Sequence, residues 1–97
     1  MKKNKTYKVI TSSRYKKGYK KMAKRGLNIK LLDNVVYKLS HGKNLDKKYN
    51  DHILKGELKG FHECHIQPDW LLIYKIQDDI LILTLVDTGS HADLFDM

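Results

Sequence analysis

The sequence predicts an α+β domain in which an opening strand and a two-helix hairpin pack on one face of a small twisted antiparallel β-sheet. Two observations carry this prediction. Apolar residues recur with helical spacing in the first half of the chain, and strand-like apolar runs separated by short turns fill the second half. Because 97 residues can enclose only one modest core, we expect a single domain over residues 1–97.

The first half of the chain predicts one short strand followed by two helices. Residues 7–10 are rich in strand-forming types, and Ser12 or Ser13 can cap the helix that follows. Gly26 ends this first helix and Asn28 caps the second, so the two helices are expected to form an antiparallel hairpin. Their apolar stripes consist of Tyr15, Tyr19, Met22 and Ala23 in the first helix, and of Leu32, Val35, Val36 and Leu39 in the second.

The second half predicts a long loop and then three strands. Residues 43–58 are polar and show little periodicity, which is typical of a loop. Strands are expected at about residues 59–67, 70–76 and 80–86, joined by connections short enough for antiparallel hairpins. The last of these strands is almost continuously apolar, as expected of a strand that is covered on both faces.

Charge is divided unevenly along the chain. Residues 1–50 hold 16 Lys and Arg against 2 Asp and Glu, a net charge of +14, whereas residues 51–97 have a net charge of −6. A surface this basic favours binding to the phosphate backbone of RNA, although a solvated helix surface is an equally simple explanation. The candidate RNA- or ribosome-binding residues on the first helix are Lys16, Lys17, Lys20, Lys21 and Lys24.

Cysteine content and hydropathy indicate where the protein works. Cys64 is the only cysteine, so an internal disulfide is impossible and a reducing compartment is indicated; we expect it to be a small apolar filler. The basic N-terminus lacks the apolar segment of a signal peptide, and the longest apolar run, residues 80–83, is too short to cross a bilayer. We therefore expect a cytoplasmic protein with no membrane partner.

Groups suited to proton transfer lie near the predicted strand ends. They are His52, His65, Asp69 and His91. Imidazoles and carboxylates can exchange protons near neutral pH, and RNA cleavage without a metal needs a base for the 2′-hydroxyl, a cation for the phosphorane and an acid for the 5′-oxygen. Lys59 is a candidate for the cation. Taken singly, each residue also has a plain structural explanation, such as a turn aspartate or a solvated loop histidine.

The alternation of side chains along a strand argues against a metal site at residues 62–65. Side chains alternate between the faces of a strand, so His62 points away from the face that Glu63 and His65 share. We therefore expect no metal and no other cofactor.

Trp70 and Phe95 offer flat surfaces on which an RNA base could stack, but residues of this kind are by default core anchors.

Three segments resemble the YafQ family of bacterial toxins, a branch of the RelE/ParE superfamily. They are Asp51-His52, residues 63–75 (ECHIQPDWLLIYK) and residues 88–95 (TGSHADLF). The resemblance implies a RelE-like fold and ribosome-dependent cleavage of mRNA. It also implies that a cognate DinJ- or RelB-like antitoxin silences the toxin in a hetero-oligomer. By the motif, His52, His65, Asp69 and His91 match the family's catalytic acid/base positions, and Trp70 and Phe95 match aromatic positions around the site.

Two positions depart from the family pattern. The family usually has an arginine directly before Thr-Gly-[ST]-His, where this chain has Asp87, and many members have an arginine where this chain has His62. A carboxylate beside a phosphodiester repels the transition state. The alternative hypothesis is therefore a weakened nuclease that binds the ribosome, RNA and an antitoxin without efficient cleavage. A topoisomerase poison of the ParE type is disfavoured, because that branch lacks this set of His and Asp residues.

Overall fold

The computed structural model describes residues 5–56 and 60–95, in which helices and a five-stranded sheet form an α+β fold. The elements, in chain order, are β1 (Lys8–Thr11), α1 (Ser13–Lys24), α2 (Ile29–Ser40), a 3₁₀ turn (Lys47–Tyr49), β2 (His52–Ile53), β3 (His62–Gln67), β4 (Trp70–Gln77), β5 (Ile82–Gly89) and α3 (His91–Phe95). The strand order across the sheet is β1-β5-β4-β3-β2. The α+β prediction is thereby confirmed.

The sheet is mixed, because the opening strand joins the antiparallel sheet that the sequence predicted. Strands β2 to β5 are antiparallel to their neighbours, but β1 lies parallel to β5, with Lys8 opposite Ile82. A parallel pair requires a long crossover connection, and here almost the whole chain lies between the two strands. The antiparallel hairpins predicted for β3, β4 and β5 are confirmed, whereas no pairing was predicted for β1, because its hydrogen-bonding partner lies at the other end of the sequence.

The predicted loop contains an edge strand. Within residues 43–56, the 3₁₀ turn precedes β2, which pairs with β3 so that His52 lies opposite Glu63. The hydroxyl of Tyr74 donates to the carboxylate of Asp51, with both oxygens at 2.7 Å, and so fixes this segment to the sheet. The predicted start of β3 at residue 59 lies outside the described residues, and the observed strand begins at His62.

The two long helices cover one face of the sheet. Ser12 caps α1 by accepting a hydrogen bond from Tyr15 N, and Asn28 caps α2 by accepting one from Lys30 N. The predicted stripes are buried or partly buried except for Ala23, which is exposed. The buried core consists of Tyr7, Tyr15, Met22, Leu32, Val35, Leu39, Cys64, Ile66, Trp70, Leu72, Tyr74, Leu83 and Leu85.

Gly18 allows α1 to approach β5 closely. A β-carbon at this position would lie far inside van der Waals contact with the carbonyl oxygen of Thr88. Glycine in a helix interior costs roughly 1 kcal/mol relative to alanine, so the close packing against β5 explains the presence of glycine at this position.

No helix in the described part of the chain is long and apolar enough to cross a membrane.

Candidate active site

The sheet face opposite the two long helices carries the candidate residues. Residues directly opposite each other on antiparallel strands point to the same face. The observed register places His52, Glu63, Ile73 and Asp87 in one such row across β2, β3, β4 and β5. His65 follows Glu63 by two residues and therefore shares its face. We call this side of the sheet the open face.

Three imidazole rings follow one another on the open face. The ring centroids of His52 and His65 are 6.4 Å apart, and those of His65 and His91 are 5.9 Å apart. Phe95 extends the series, with its ring centroid 6.5 Å from that of His91. The structure therefore brings together three histidines that are far apart in the sequence.

Glu63 lies between two of these imidazoles. Its Oε1 is 3.1 Å from His52 Nε2 and 3.8 Å from His65 Nε2, although the residue is only 7% exposed. The other ring nitrogen of His52, Nδ1, donates to the carbonyl oxygen of Asn50 at 2.7 Å. Both nitrogens of His52 thus face acceptors, which holds this ring in place. Sequence reasoning put Glu63 on the face of His65 but did not identify it as a site residue.

Asp69 and His91 form a direct pair. Asp69 lies in the turn between β3 and β4, and its Oδ1 accepts hydrogen bonds from His91 Nδ1 at 2.7 Å and from His91 N at 3.0 Å. The backbone bond and then the side-chain bond hold the pKa of Asp69 below its usual range. Since Nδ1 donates to the carboxylate, Nε2 of His91 is the nitrogen available for exchange with a substrate.

Helix α3, which begins at His91, is fixed by a hydrogen-bonded network around Asp93. The guanidinium of Arg25 donates to both carboxylate oxygens of Asp93, at 2.8 and 3.0 Å, and Ser90 donates to it through N and Oγ at 2.9 Å. Arg25 first, and then Ser90, hold the pKa of Asp93 far below its usual range. Gly89 allows this approach, because a β-carbon there would lie 2.8 Å from Asp93 Cβ. The network joins α1 to the end of β5 and thereby positions His91.

Comparison with known proteins identifies the family. The family model described as the bacterial toxin of type II toxin–antitoxin systems, YafQ, matches residues 7–96. The chain belongs to the YafQ family.

Individual relatives agree with this assignment over nearly their whole length. The chain is 38% identical to the mRNA interferase toxin YafQ of Escherichia coli K12 over 85 residues, which are 87% of this chain and 90% of that protein. A metal-bound toxin from Helicobacter pylori is 44% identical, with a TM-score of 0.86 over 93% of this chain and 100% of that one. YafQ in the E. coli DinJ–YafQ complex is 35% identical, with a TM-score of 0.85 over 93% of this chain and 98% of that one.

Within the YafQ framework, the two predicted stacking residues have different environments. Trp70 is 1% exposed and lies in the core, where its Nε1 donates to Thr88 Oγ1 at 3.0 Å. The free protein presents no face of this ring to solvent, which favours the core-anchor explanation, and the stacking role of Trp70 stays a prediction. Phe95 is partly exposed beside His91 and stays a candidate.

The predicted basic residues are exposed along α1, and one of them also contacts α3. The exposed side chains are Lys16, Lys17, Lys20, Lys21 and Lys24. Lys21 Nζ is 3.5 Å from Asp93 Oδ1, so it contributes to the network that fixes α3. Lys59, the predicted cation of the site, lies outside the described residues.

The two positions that depart from the YafQ pattern lie on opposite faces of the sheet. Asp87 is 8% exposed on the open face, where Arg14 of α1 forms an ion pair with it. His62 is stacked on Tyr74 at a centroid distance of 4.9 Å, and its Nδ1 is 3.6 Å from Asp51 Oδ1. Among residues 5–56 and 60–95, no three His, Cys, Asp or Glu side chains are grouped so that they could hold a metal ion.

The sequence did not identify several residues that shape the site, because their hydrogen-bonding partners are distant in the chain. Asp51 holds the segment that carries His52, and the only sequence signal for it is its place directly before that histidine. The spacing of Ser90 and Asp93 is that of a helix cap, which could have indicated the start of α3. Nothing in the sequence pairs Arg25 with Asp93, since they meet only because α1 and α3 both pack on β5.

Proposed function

We propose that this chain is the toxin of a type II toxin–antitoxin pair and that it cuts mRNA on the ribosome. Attack of a ribose 2′-hydroxyl on the adjacent phosphate would expel the 5′-oxygen of the next nucleotide. The convergence of His52, His65 and His91 on one open face, beside Glu63 and Asp69, carries the proposal. These groups can perform both proton transfers, so the proposed reaction uses no metal and no organic cofactor.

His91 is the general acid in this proposal. Its Nδ1–H donates to Asp69, which leaves Nε2 to deliver a proton to the departing 5′-oxygen. The carboxylate of Asp69 stabilises the imidazolium form that must exist before this transfer. Asp69 is a positioning residue and not the base, because it is engaged with His91 and its lowered pKa makes it a poor proton acceptor at neutral pH.

His65 is the general base in this proposal. The two nitrogens of His52 face Asn50 O and Glu63, whereas Glu63 lies 3.8 Å from His65 Nε2. His65 therefore has more freedom to accept the 2′-hydroxyl proton, and its position between His52 and His91 fits a base opposite the acid. Glu63 orients both imidazoles, and its negative charge favours the protonated product of the base.

Room for a substrate exists beside this base. A cleft of about 370 Å³ opens next to His65 between the 3₁₀ turn and the β3–β4 turn, with Tyr49 and Lys48 on its wall. An aromatic ring and an ammonium are suited to a base and a phosphate, respectively. Phe95 and the lysines of α1 are proposed to add contacts to RNA or the ribosome on the other side of the site.

A cognate antitoxin is the proposed protein partner. The E. coli relative was crystallised as a complex with DinJ, and the present chain superposes on that YafQ over 93% of its length. We propose that a DinJ- or RelB-like antitoxin forms a hetero-oligomer with this chain and silences it. If a small acidic reading frame lies directly upstream of the gene for this chain, co-expression of its product should abolish the toxicity of this chain and yield a co-purifying complex.

Mapping of RNA ends tests the nuclease directly. Induction in a bacterium should produce new mRNA 5′ ends within coding regions, and purified protein with ribosomes should give 2′,3′-cyclic phosphate and 5′-hydroxyl ends equally well in EDTA. His65→Ala should abolish these ends, while His41→Gln, on the surface at the end of α2, should not. If no new ends appear while the wild-type chain inhibits growth, mRNA cleavage is not its activity.

Asp87 favours a second candidate function, that of a binding protein with little nuclease activity. A carboxylate on the open face opposes the approach of a phosphate unless it is neutralised. This candidate requires ribosome binding and antitoxin binding to persist without new mRNA ends. The same mapping experiment, combined with ribosome co-sedimentation, separates the two.

A further inference from the structure

We propose that Arg14 is a catalytic residue that contacts the scissile phosphate of RNA, and that Asp87 holds it in place. The inference rests on the proposed nuclease function and names the cation that the reaction needs. Sequence reasoning assigned no role to Arg14, which lies in the first turn of α1, far in the chain from the histidine cluster.

The geometry of the pair leaves Arg14 free to bind an anion. Arg14 Nη2 is 3.0 Å from Asp87 Oδ2, and the other carboxylate oxygen accepts a hydrogen bond from Thr88 N at 2.9 Å. The Asp87 side chain is therefore fixed at both oxygens and only 12% exposed, whereas that of Arg14 is 72% exposed. A guanidinium has five N–H donors in a planar arrangement, so contact with one carboxylate oxygen leaves donors directed to solvent.

The Arg14–Asp87 pair lies in the same row of the open face as Glu63. Ile73 lies between Asp87 and Glu63 in that row. Neighbouring strands are about 4.8 Å apart, so the backbones at Asp87 and Glu63 are separated by roughly 10 Å. The side chains of Arg14 and His65 can reach into that interval from its two sides.

The end of β1 explains how a helix residue reaches this face. Thr11, the last residue of β1, lies opposite Leu85, two residues before Asp87. Beyond this point β5 has no neighbour in β1, and the chain turns into α1, whose cap residue Ser12 donates through N to Leu85 O at 3.0 Å and through Oγ to Val86 O at 2.6 Å. Arg14 can therefore extend around the edge of β5 to Asp87.

Arg14 differs from the other cations near the open face in having donors that no other group of the described residues occupies. Lys75, two residues after Ile73 on β4, holds its ammonium 5.4 Å from the centroid of the Phe61 ring. Glu63, Asp69 and Asp87 give this surface a negative character that RNA would have to overcome. Arg25 donates from both Nη groups to Asp93 and is thereby committed to the anchoring of α3. Arg14 instead combines a fixed partner with open donors. Its charge offsets Asp87 in the free protein, and its remaining donors can stabilise charge that develops on the phosphorane.

Kinetics on ribosomes test the inference with variants of both partners. Arg14→Ala should lower kcat by about 10²–10³-fold with little change in KM, as expected for a donor that acts mainly on the transition state. Arg14→Ala/Asp87→Asn should recover part of that loss, because the uncompensated carboxylate is then removed as well. Lys30→Ala, which removes an exposed cation from α2, is the matched control and should behave like wild type.

The double variant distinguishes catalysis from support of the fold. If Arg14 only stabilised the structure by neutralising Asp87, the double variant would regain the full wild-type kcat, and the unfolding midpoint would rise and fall with activity. If Arg14 is catalytic, the kcat of the double variant stays below that of wild type even where its unfolding midpoint is restored. Equal activity of wild type and Arg14→Ala overturns the inference while leaving the proposed nuclease function intact.

A binding measurement tests Arg14 even if the protein proves not to be a nuclease. The probe is a short 2′-O-methyl RNA, which presents phosphates but cannot undergo attack by a 2′-hydroxyl. Its addition to the ¹⁵N-labelled protein should shift the Nε–Hε resonance of Arg14, assigned by its loss in Arg14→Lys. A shift without cleavage supports the phosphate contact and refutes the proposed function, whereas an unmoved resonance overturns the inference whatever the cleavage result.

Discussion

Asp69 and His91 are joined twice through a single carboxylate oxygen, which accepts both the backbone N–H and the ring Nδ1–H of the histidine. The turn between β3 and β4 thus caps α3 and orients the candidate acid with the same atom. Any change that moves this turn must therefore also rotate the imidazole.

His91→Gln is expected to separate catalysis from binding. Glutamine retains a similar size and a hydrogen-bond donor for Asp69 but has no useful acid. Since general acid–base catalysis contributes typically about 10²–10⁴-fold, cleavage on ribosomes should fall by roughly that factor while ribosome co-sedimentation persists. Wild-type cleavage rates in this variant would remove His91 from the mechanism.

Neutralisation of α1 is expected to reduce the salt dependence of RNA or ribosome binding. Lys21 should be kept, because it contacts Asp93 and its replacement would disturb α3. The four-residue variant carries Gln at Lys16, Lys17, Lys20 and Lys24. For each lysine that binds a phosphate in the wild-type protein, the slope of log K against log salt should become shallower by about 0.7–0.9.

A matched variant controls for net charge. It carries Gln at the exposed residues Lys5, Lys8, Lys30 and Lys43, which lie outside α1 and outside the cleft beside His65. Its salt slope should stay close to that of wild type. Identical slopes for the two variants would show that the lysines of α1 form only a solvated surface.

Gly18→Ala is expected to destabilise the fold, although helix propensity alone predicts the opposite. Alanine favours a helix by roughly 1 kcal/mol over glycine. The added β-carbon would overlap the carbonyl oxygen of Thr88, however, and overpacking of this kind typically costs about 1–3 kcal/mol. Urea denaturation should show a lower free energy of unfolding; a higher one would mean that α1 can move away from β5 without cost.

The pH dependence of stability should reveal the network at Asp93. The pKa of this carboxyl is lowered in the folded state, chiefly by Arg25. Its stabilising effect is therefore fully present above the unfolded-state value of about 3.9 and is lost as the pH falls through the lower folded value. Asp93→Asn should be less stable than wild type at pH 7, and the difference should shrink steadily below about pH 4. A difference that is constant down to about pH 2 would contradict the ion pair between Arg25 and Asp93.

Local patterns in the sequence were sufficient for most elements. Helical stripes with caps at Ser12 and Asn28 predicted α1 and α2, and short turns between apolar runs predicted the β3–β4–β5 meander. These signals are local, because the residues that form them lie within one or two turns of each other. The two-residue strand β2 has no periodicity to detect, and only its pairing with β3 defines it.

Long-range contacts set the limit of what could be predicted about the site. The resemblance to the YafQ family indicated the histidines, but it did not indicate that Trp70 would be enclosed in the core. An aromatic residue at the start of a strand fits either face until the register with β5 is known. The pairing of Arg14 with Asp87 depends on where β1 stops along β5, which no local pattern encodes.

The parallel pairing of β1 with β5 has a consequence for synthesis of the chain. Strand β1 cannot pair until β5, which lies 74 residues later, has been synthesised. At typical elongation speeds of about 5–20 residues per second, synthesis of those residues takes about 4–15 s. Loops of this length close slowly, and α1, which packs mainly on β5, has no strand to cover until then. Since His91 follows directly after β5, the fold and the candidate acid are completed at nearly the same moment of translation, so a chain that stops before β5 should have neither.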